Sequence, residues 1–364
     1  MSRLPAVFCA PALVVFASVA GAEPYGPPPP PPLPDGYARE ARETLIVWRP
    51  PAKSRTLLVV AGDEPPLTSF DQADLLQIAR ARSMTIAFLS AGRRDLPALR
   101  AALASLRSGL KVVGAGGQAE ADMLQSLVKT KGDKLLDALL LTDSAPLDLG
   151  PDAPFIVELY GADAFWRDAP PPAAAKGASI RRYFLAGAVT APGDPKRCAN
   201  PVNDRSVAPA ERGLLVALDD FIHGGPPPPP SREADLAPKK NLVWPKIPGS
   251  AAPPQDDGLA PKIDADGNET SGLRLPDQAL PLATFTGWSP QKGDCRAGAR
   301  YDFAPSREAR EKSADARQSL VERYGSRAYF VAALRSLADK LVKEGLLLPQ
   351  DADAYVAAGK KAPF

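Results

Sequence analysis

The sequence predicts an α/β protein, a doubly wound and mostly parallel sheet with an irregular and helical C-terminal appendage. Two observations lead there. From residue 43, short continuous apolar runs alternate with amphipathic segments in helical spacing, the pattern of strands buried on both faces between covering helices. After Pro230 that alternation stops, the chain becomes rich in Pro, Gly and Asp, and helical spacing resumes only at residue 306.

The first segment is an address. Arg3 supplies a positive n-region, Leu4 to Val19 an apolar stretch, and Ala20-Gly21-Ala22 a small-x-small cleavage site before Glu23. This is the pattern of a secretory signal peptide over residues 1–22. Its apolar run is short and broken by Pro5 and Pro11, which argues against an uncleaved anchor, and Cys9 lies too far inside it for lipid attachment. No later stretch is long and apolar enough to span a bilayer, so we expect an exported protein, periplasmic or extracellular, with no stable membrane span after cleavage. Residues 23–42 follow as a Pro-rich leader, extended and solvated around the run from Pro27 to Pro32.

The core is expected over residues 43–225. Strands are predicted at 44–48, 56–60, 85–89, 111–114, 138–142, 155–160 and 180–186. Helices are predicted at 70–82 (Leu75, Leu76, Ile78 and Ala79 inward), 97–107 (Leu99, Leu103 and Leu106 inward), 119–129 and 211–223. Residues 226–305 read as an irregular wrap, tacked down by Trp244, Phe285 and Trp288, because leaving such side chains exposed would lose about 1.5–3 kcal/mol each. Residues 306–364 return to helix. Tyr324-Gly325-Ser326 breaks it with Ser326 as N-cap, Phe330, Leu334, Leu337 and Leu341 share a face, and Leu346–Leu348 with Pro349 end it.

The formal net charge is +2 and loses one unit when Arg3 leaves with the signal. There is no basic block and no aromatic–basic interleaving, so nucleic acid is not an expected partner. Cys198 and Cys295 remain in the mature chain. In an oxidising compartment we expect them to be bonded, closing a loop of about a hundred residues that is worth on the order of 4–5 kcal/mol of chain entropy. No cysteine–histidine cluster offers a zinc site, and no cofactor is expected.

The segment Val112-Val113-Gly114-Ala115-Gly116-Gly117-Gln118 is a strand-to-helix turn of small residues. A dinucleotide fingerprint is not met, since Ala119 stands at the third glycine position. Asp264-Ala265-Asp266-Gly267-Asn268-Glu269-Thr270 opens like a calcium loop, but Glu269 replaces the glycine and Leu275 the bidentate glutamate. An Asx-rich turn is the reading adopted. Asn268-Glu269-Thr270 is also a glycosylation sequon, which suggests an exposed loop. Asp143-Ser144 and Asp163 follow strands, where α/β sheets place ligands, although capping of the next turn is the preferred reading. Asp219-Asp220 reads as a solvated helix face.

The second half carries a resemblance. Asp219-Asp220-Phe221-Ile222, then Gly224-Gly225 and the prolines before Ser231-Arg232, are its first piece. Val243 to Gly249, Asp264 to Asn268, Gly272 to Pro276, Pro281 to Trp288, Glu322 to Arg327 and Leu346 to Pro349 continue it. Together they resemble a bacterial family known as the alpha/beta hydrolase domain family, closely over residues 180–358 and only in strand–helix order over 44–166. The resemblance implies an α/β-hydrolase fold and a Ser/His/acid triad. The nucleophile would fall on Gly116, the acid within Gly161 to Trp166 beside Asp163, and the base on Thr190. The positions that would hold the acid read Ala162 and Ala164, leaving Asp163 one place off. Serine and histidine are therefore absent from their slots, and the usual cap insertion is reduced.

The chain has one histidine, His223, at the end of an apolar helix, where capping of the helix dipole suits it better than catalysis. The expected function is that of a binding or scaffold module with a small-molecule or protein ligand near Gly116, Asp163 and Thr190. The alternative is a working carboxylic-ester hydrolase with displaced residues such as Ser144 and Asp163, for which no base is in sight. A third possibility is an envelope protein in which the fold is inherited packing.

Overall fold

The computed structural model describes residues 36–42, 44–62, 70–89, 95–128, 134–144, 153–166, 179–190, 196, 198, 200–289 and 298–364. The segment read as a signal peptide and most of the expected Pro-rich leader lie outside them. The sheet contains β1 (Ala38–Ala41), β2 (Ile46–Arg49), β3 (Thr56–Ala61), β4 (Thr85–Leu89), β5 (Lys111–Gly117), β6 (Ala138–Thr142), β7 (Phe155–Gly161) and β8 (Ile180–Leu185). Their spatial order is β1-β2-β4-β3-β5-β6-β7-β8. The β1–β2 and β2–β4 pairs are antiparallel, and every later pair is parallel.

The helices follow from the same patterns. They are α1 (Phe70–Ala81), α2 (Leu96–Leu106), α3 (Gln118–Val128) and α4 (Ala208–Ile222). Asp95 caps α2 by accepting from the Ala98 N–H, and proline sits in the first turn, where its missing N–H costs nothing. Strand alternation splits the core in two. Leu58 and Val60 of β3 pack with Leu75, Leu76 and Ile78 of α1 and with Leu214, Leu215 and Leu218 of α4. Leu57, Val59 and Ala61 face the other way, toward Leu99, Leu103 and Leu106 of α2 and Leu124 and Leu127 of α3. All of β3 and β4 is buried, as continuous apolar strands in a doubly covered sheet require. Trp48, fully buried, meets Phe88 edge-on with centroids 4.9 Å apart.

Two parts of the expected boundaries shift. Residues 38–41, assigned to the leader, form an edge strand on β2, with Tyr37 buried behind it and its hydroxyl donating to the Met84 carbonyl at 3.1 Å. The wrap is also less irregular than its composition suggests. It holds two short hairpins, β9 (Leu236–Pro238) with β10 (Leu259–Pro261), and β11 (Ala283–Phe285) with β12 (Arg300–Asp302). Phe285 and Trp288 are buried in it, and Trp244 packs edge-on against Trp288. The wrap also closes the sheet. Phe184 N–H donates to Arg232 O at 2.8 Å and Ala186 N–H to Leu273 O at 3.1 Å, while Leu273 N–H returns to Phe184 O at 2.7 Å.

The C-terminal helices are α5 (Pro276–Ala279), α6 (Arg307–Ser313), α7 (Leu320–Tyr324), α8 (Arg327–Lys343) and α9 (Pro349–Gly359). Ser326 caps α8 by accepting from Tyr329 N–H, and Phe330, Leu334 and Leu341 are buried. Leu337 is only half-buried, and Ala338 takes the inward place beside it. Leu346–Leu348 and Pro349 do end α8, but Pro349 also starts α9, as its place in a first turn allows. No helix among the described residues is long and apolar enough to cross a membrane.

Arg317 joins the β11–β12 hairpin to the helical segment. Its buried guanidinium holds Asp315 at 2.7 Å, the Thr284 hydroxyl at 2.8 Å, and the carbonyls of Tyr301 at 2.8 Å and Asp302 at 3.0 Å. Arg317→Ala leaves Asp315 buried without its counter-charge, so we expect a loss of about 3–5 kcal/mol in a urea titration followed by far-UV circular dichroism. A loss below about 1 kcal/mol would show that the hairpin does not depend on this hub.

Candidate functional site

The C-terminal ends of β5 to β8 lie side by side, with Gly117 opposite Thr142, Thr142 opposite Leu159 and Gly161 opposite Leu185. Two of the three residues singled out in the sequence meet there. Asp163 sits in the 3-10 turn Ala162–Trp166 after β7, buried, and Thr190 follows β8. The Thr190 N–H donates to Asp163 Oδ1 at 3.1 Å and its hydroxyl to Asp163 Oδ2 at 2.9 Å. The same hydroxyl lies 3.3 Å from Asp143 Oδ2. One hydroxyl proton serves one carboxylate at a time, and the shorter contact marks Asp163 as its holder. Asp143 and Asp163 therefore converge on Thr190. Asp143 reaches this position with a left-handed φ of 57°.

Tight backbone packing fixes the geometry. A Cβ on Gly161 would lie 2.4 Å from Asp163 Oδ1 and 2.9 Å from the Ala188 carbonyl, so the carboxylate folds over a position that only glycine fills. Gly187 has φ +64°, and its carbonyl accepts from Asn203 Nδ2 at 2.8 Å. Its N–H donates to Glu269 Oε2 at 2.6 Å. Burial, with a smaller contribution from the Asp163 charge, pushes the Glu269 carboxyl up to about 8 against the pull of the Gly187 N–H. At neutral pH Glu269 is thus mostly protonated beside an ionisable Asp163.

Glu269 carried no signal as a site residue in the sequence, where it only spoiled a calcium loop. That loop is an Asx turn, with Asp264 Oδ1 accepting from the N–H groups of Asp266 and Asn268 at 2.9 Å each. The sequon does not mark an exposed asparagine. Asn268 is buried, donating to Ala283 O at 3.2 Å and accepting from Phe285 N–H at 3.0 Å. Glu211, near the start of α4, is a second residue that sequence reading passed over. It is buried and accepts from the Thr142 hydroxyl at the same strand ends.

The remaining candidates behave differently. Gly116 lies inside β5, which runs three residues past its expected end at 114. Gly114, Gly116 and Gly117 all avoid left-handed φ, so the strained elbow that carries a nucleophile is not formed at any of them. A Cβ at 116 would meet Ala61 Cβ and Glu120 Cβ at 3.2 Å and Leu124 Cδ1 at 3.3 Å, on the α3 side of the strand. Ser144 is buried, and its Oγ has no hydrogen-bond partner among the described residues.

His223 caps the far end of α4, its Nδ1 donating to Asp219 O at 2.8 Å. Asp219 is not solvated as expected. It is buried against the Thr56 hydroxyl and Arg82, at the start of β3. Helix α4 thus runs from Glu211 at the strand C-termini to His223 at the strand N-termini, about 18 Å for twelve residues at the helical rise. Cys198 is half-buried, and its expected partner Cys295 lies outside the described residues. No metal-holding group of three or more His, Cys, Asp or Glu occurs among the described residues.

A family model described as "Alpha/beta hydrolase domain" matches residues 171–357. No curated protein sequence matches the chain. Among solved structures, the siderophore hydrolase EstB from Aspergillus fumigatus is similar at 16% identity over 32% of this chain, with a TM-score of 0.26. The chain spans 44% of that enzyme's length. TT1662 from Thermus thermophilus is similar at 15% identity over 41% of this chain and 88% of its own, with a TM-score of 0.29. A cold-adapted esterase from an Arctic intertidal metagenomic library gives 14% identity, 34% and 74% coverage, and a TM-score of 0.24.

The Glu269 carboxyl predicts a pH dependence. Its folded value near 8 exceeds the ordinary 4.5, so its contribution to stability is fully present below about pH 4.5 and is lost as pH rises through 8. Glu269→Gln keeps an acceptor for Gly187 and removes the titration. We expect denaturation midpoints of the variant to stay level between pH 5 and 8 relative to the wild type, whose stability falls by up to about 1.4 kcal/mol per pH unit over that window. Parallel pH profiles for the two proteins would overturn this assignment.

Proposed function

The chain belongs to the alpha/beta hydrolase domain family, and from that premise we propose that it is an exported member without a working Ser/His/acid triad, acting as a binding or scaffold module. One observation carries the reading. The only histidine of the chain, His223, caps α4 beside Thr56, at the opposite end of the strands from Asp163 and Thr190. A triad hydrolase needs an imidazole between acid and nucleophile to move the proton at neutral pH. Here a threonine hydroxyl occupies the acid, and Gly116 offers no attacking atom. Threonine is no proton acceptor near neutral pH, so the Asp163–Thr190 pair acts as a polar brace.

A ligand, small molecule or protein segment, is then expected at the strand C-termini near Gly116, Asp163 and Thr190. Donors suit that environment better than further anions, because Asp143 and Asp163 already present carboxylates there. The competing reading, ester hydrolysis by Ser144 with Asp163, lacks support, since the Ser144 hydroxyl hydrogen-bonds to no base among the described residues.

The test is hydrolysis of short- and long-acyl aryl esters by the purified mature protein, with a serine-reactive phosphonate probe alongside. We expect neither turnover above the trace rate that a bare pocket sustains nor labelling. Turnover with labelling would overturn the proposal, and peptide mapping would locate the nucleophile. Export makes a separate prediction. Mass analysis of the non-reduced protein recovered outside the cytoplasm should show an N-terminus at Glu23 and one peptide linking Cys198 to Cys295. An intact N-terminus or two alkylatable thiols would count against it.

A further inference from the structure

A cavity lies at the opposite end of the sheet from the site above and owes nothing to it. It has a volume of about 620 Å3 and is walled by the β2–β3 connection, the end of α1 and the end of α4. That volume accommodates a small organic molecule. Its lining is dominated by charge, with Lys53, Arg55 and Arg82 set against Asp219 and Asp220, and His223 between them. This composition selects a polar, charged occupant over a lipid or an aromatic.

The sign of the occupant follows from which charges are already used. Both carboxylates are engaged. Asp219 accepts from the Thr56 hydroxyl and Arg82 Nε, and Asp220 accepts from Arg82 Nη2. The carbonyls that end α4 are also covered. Asp220 O accepts from Gly225 N–H at 2.9 Å, and Asp219 O from His223 Nδ1 at 2.8 Å. Lys53 and Arg55 are different. Both are exposed, and neither side chain makes a hydrogen bond or ion pair with any described residue. Arg82 offsets only one of the two carboxylates, so the wall as a whole carries one net positive charge, and its two exposed cations are Lys53 and Arg55.

The backbone that carries those cations is anchored by the residue between them. Between them Ser54 faces the other way. Its hydroxyl donates to Thr56 O at 2.7 Å and accepts from Thr85 N–H at 2.9 Å, and it lines a separate depression with Ala52. Ser54 is turned away from the larger cavity, and Lys53 and Arg55 on either side of it both line that cavity. His223 donates its Nδ1 hydrogen to a backbone carbonyl, which leaves Nε2 as the ring atom available to a ligand.

The geometry points to a binding site for a small organic anion, a phosphate monoester or a carboxylate, gripped by Lys53 and Arg55 and bordered by His223. An ammonium point charge beside a guanidinium fork is a combination that serves both anions.

Because His223 is the only histidine, its ring gives a single Cε1–H resonance that reports on this wall alone. The full mature chain is titrated with glycerol 3-phosphate in one arm and succinate in the other, at fixed pH, with sodium chloride at matched ionic strength as the control. The expected result is a saturable shift of the His223 resonance with at least one of the two anions, and the better arm names the chemistry. Lys53→Ala with Arg55→Ala, both exposed and structurally unengaged, should weaken that binding by about tenfold or more, the equivalent of one lost charge-assisted contact. No saturable shift in either arm would overturn the site. So would an equal shift with sodium chloride, or an unchanged midpoint in the double variant.

Discussion

The outer edge of β8 is the constraint on which the rest of the structure depends. The last strand of an open sheet presents donors and acceptors that must be satisfied or shielded. Here Arg232 and Leu273 satisfy them in place of a ninth strand. Closing the edge with a loop forces a close approach, and Gly272 adopts φ +85° where a Cβ would sit 2.5 Å from the Phe184 carbonyl. Once Leu273 is seated, Glu269 four residues earlier is delivered to Gly187. The buried carboxyl of the candidate site is thus a consequence of how the sheet is finished.

The core was legible because its signals are local. Continuous apolar runs in β3, β4 and β6 and the spacing of Leu99, Leu103 and Leu106 depend only on neighbours in the chain. What escaped is what distance or brevity decides. The strand Ala38–Ala41, Ala-Arg-Glu-Ala, is mostly exposed at an edge and has no apolar alternation to read. The hairpins of the wrap use three-residue strands, two of them ending in proline, shorter than any periodicity. Asp219 and Asp220 look alike in the sequence and both pair with Arg82, while Thr56, far away along the chain, engages only the buried Asp219.

The site was legible by halves. Alignment to the family's triad slots drew attention to Asp163 and Thr190, and the two residues do meet. Their placement after β7 and β8 follows from the rule that parallel sheets carry their polar groups at strand C-termini. Glu269 and Glu211 were invisible because each lies in a segment with another apparent purpose, a turn and an amphipathic helix. Gly116 shows a further limit of alignment. It was expected at the nucleophile slot, but its backbone is plain strand and its missing side chain would point beneath α3. Placing a serine there would ask Ala61 and Leu124 to move before any chemistry began.

The late position of the edge-closing residues has a consequence in time. As the chain lengthens during synthesis, β8 is complete at residue 185, yet its edge partner Leu273 and the clamp on Gly187 come more than eighty residues later. Arg212 waits longer still for Asp351, and Arg232 for Glu344. A chain stopped between these points has a finished sheet with a bare border and an unoccupied amide at Gly187, the condition in which strands recruit foreign partners. Holding the chain unfolded until its last hundred residues are available, as passage across a membrane does, removes that hazard.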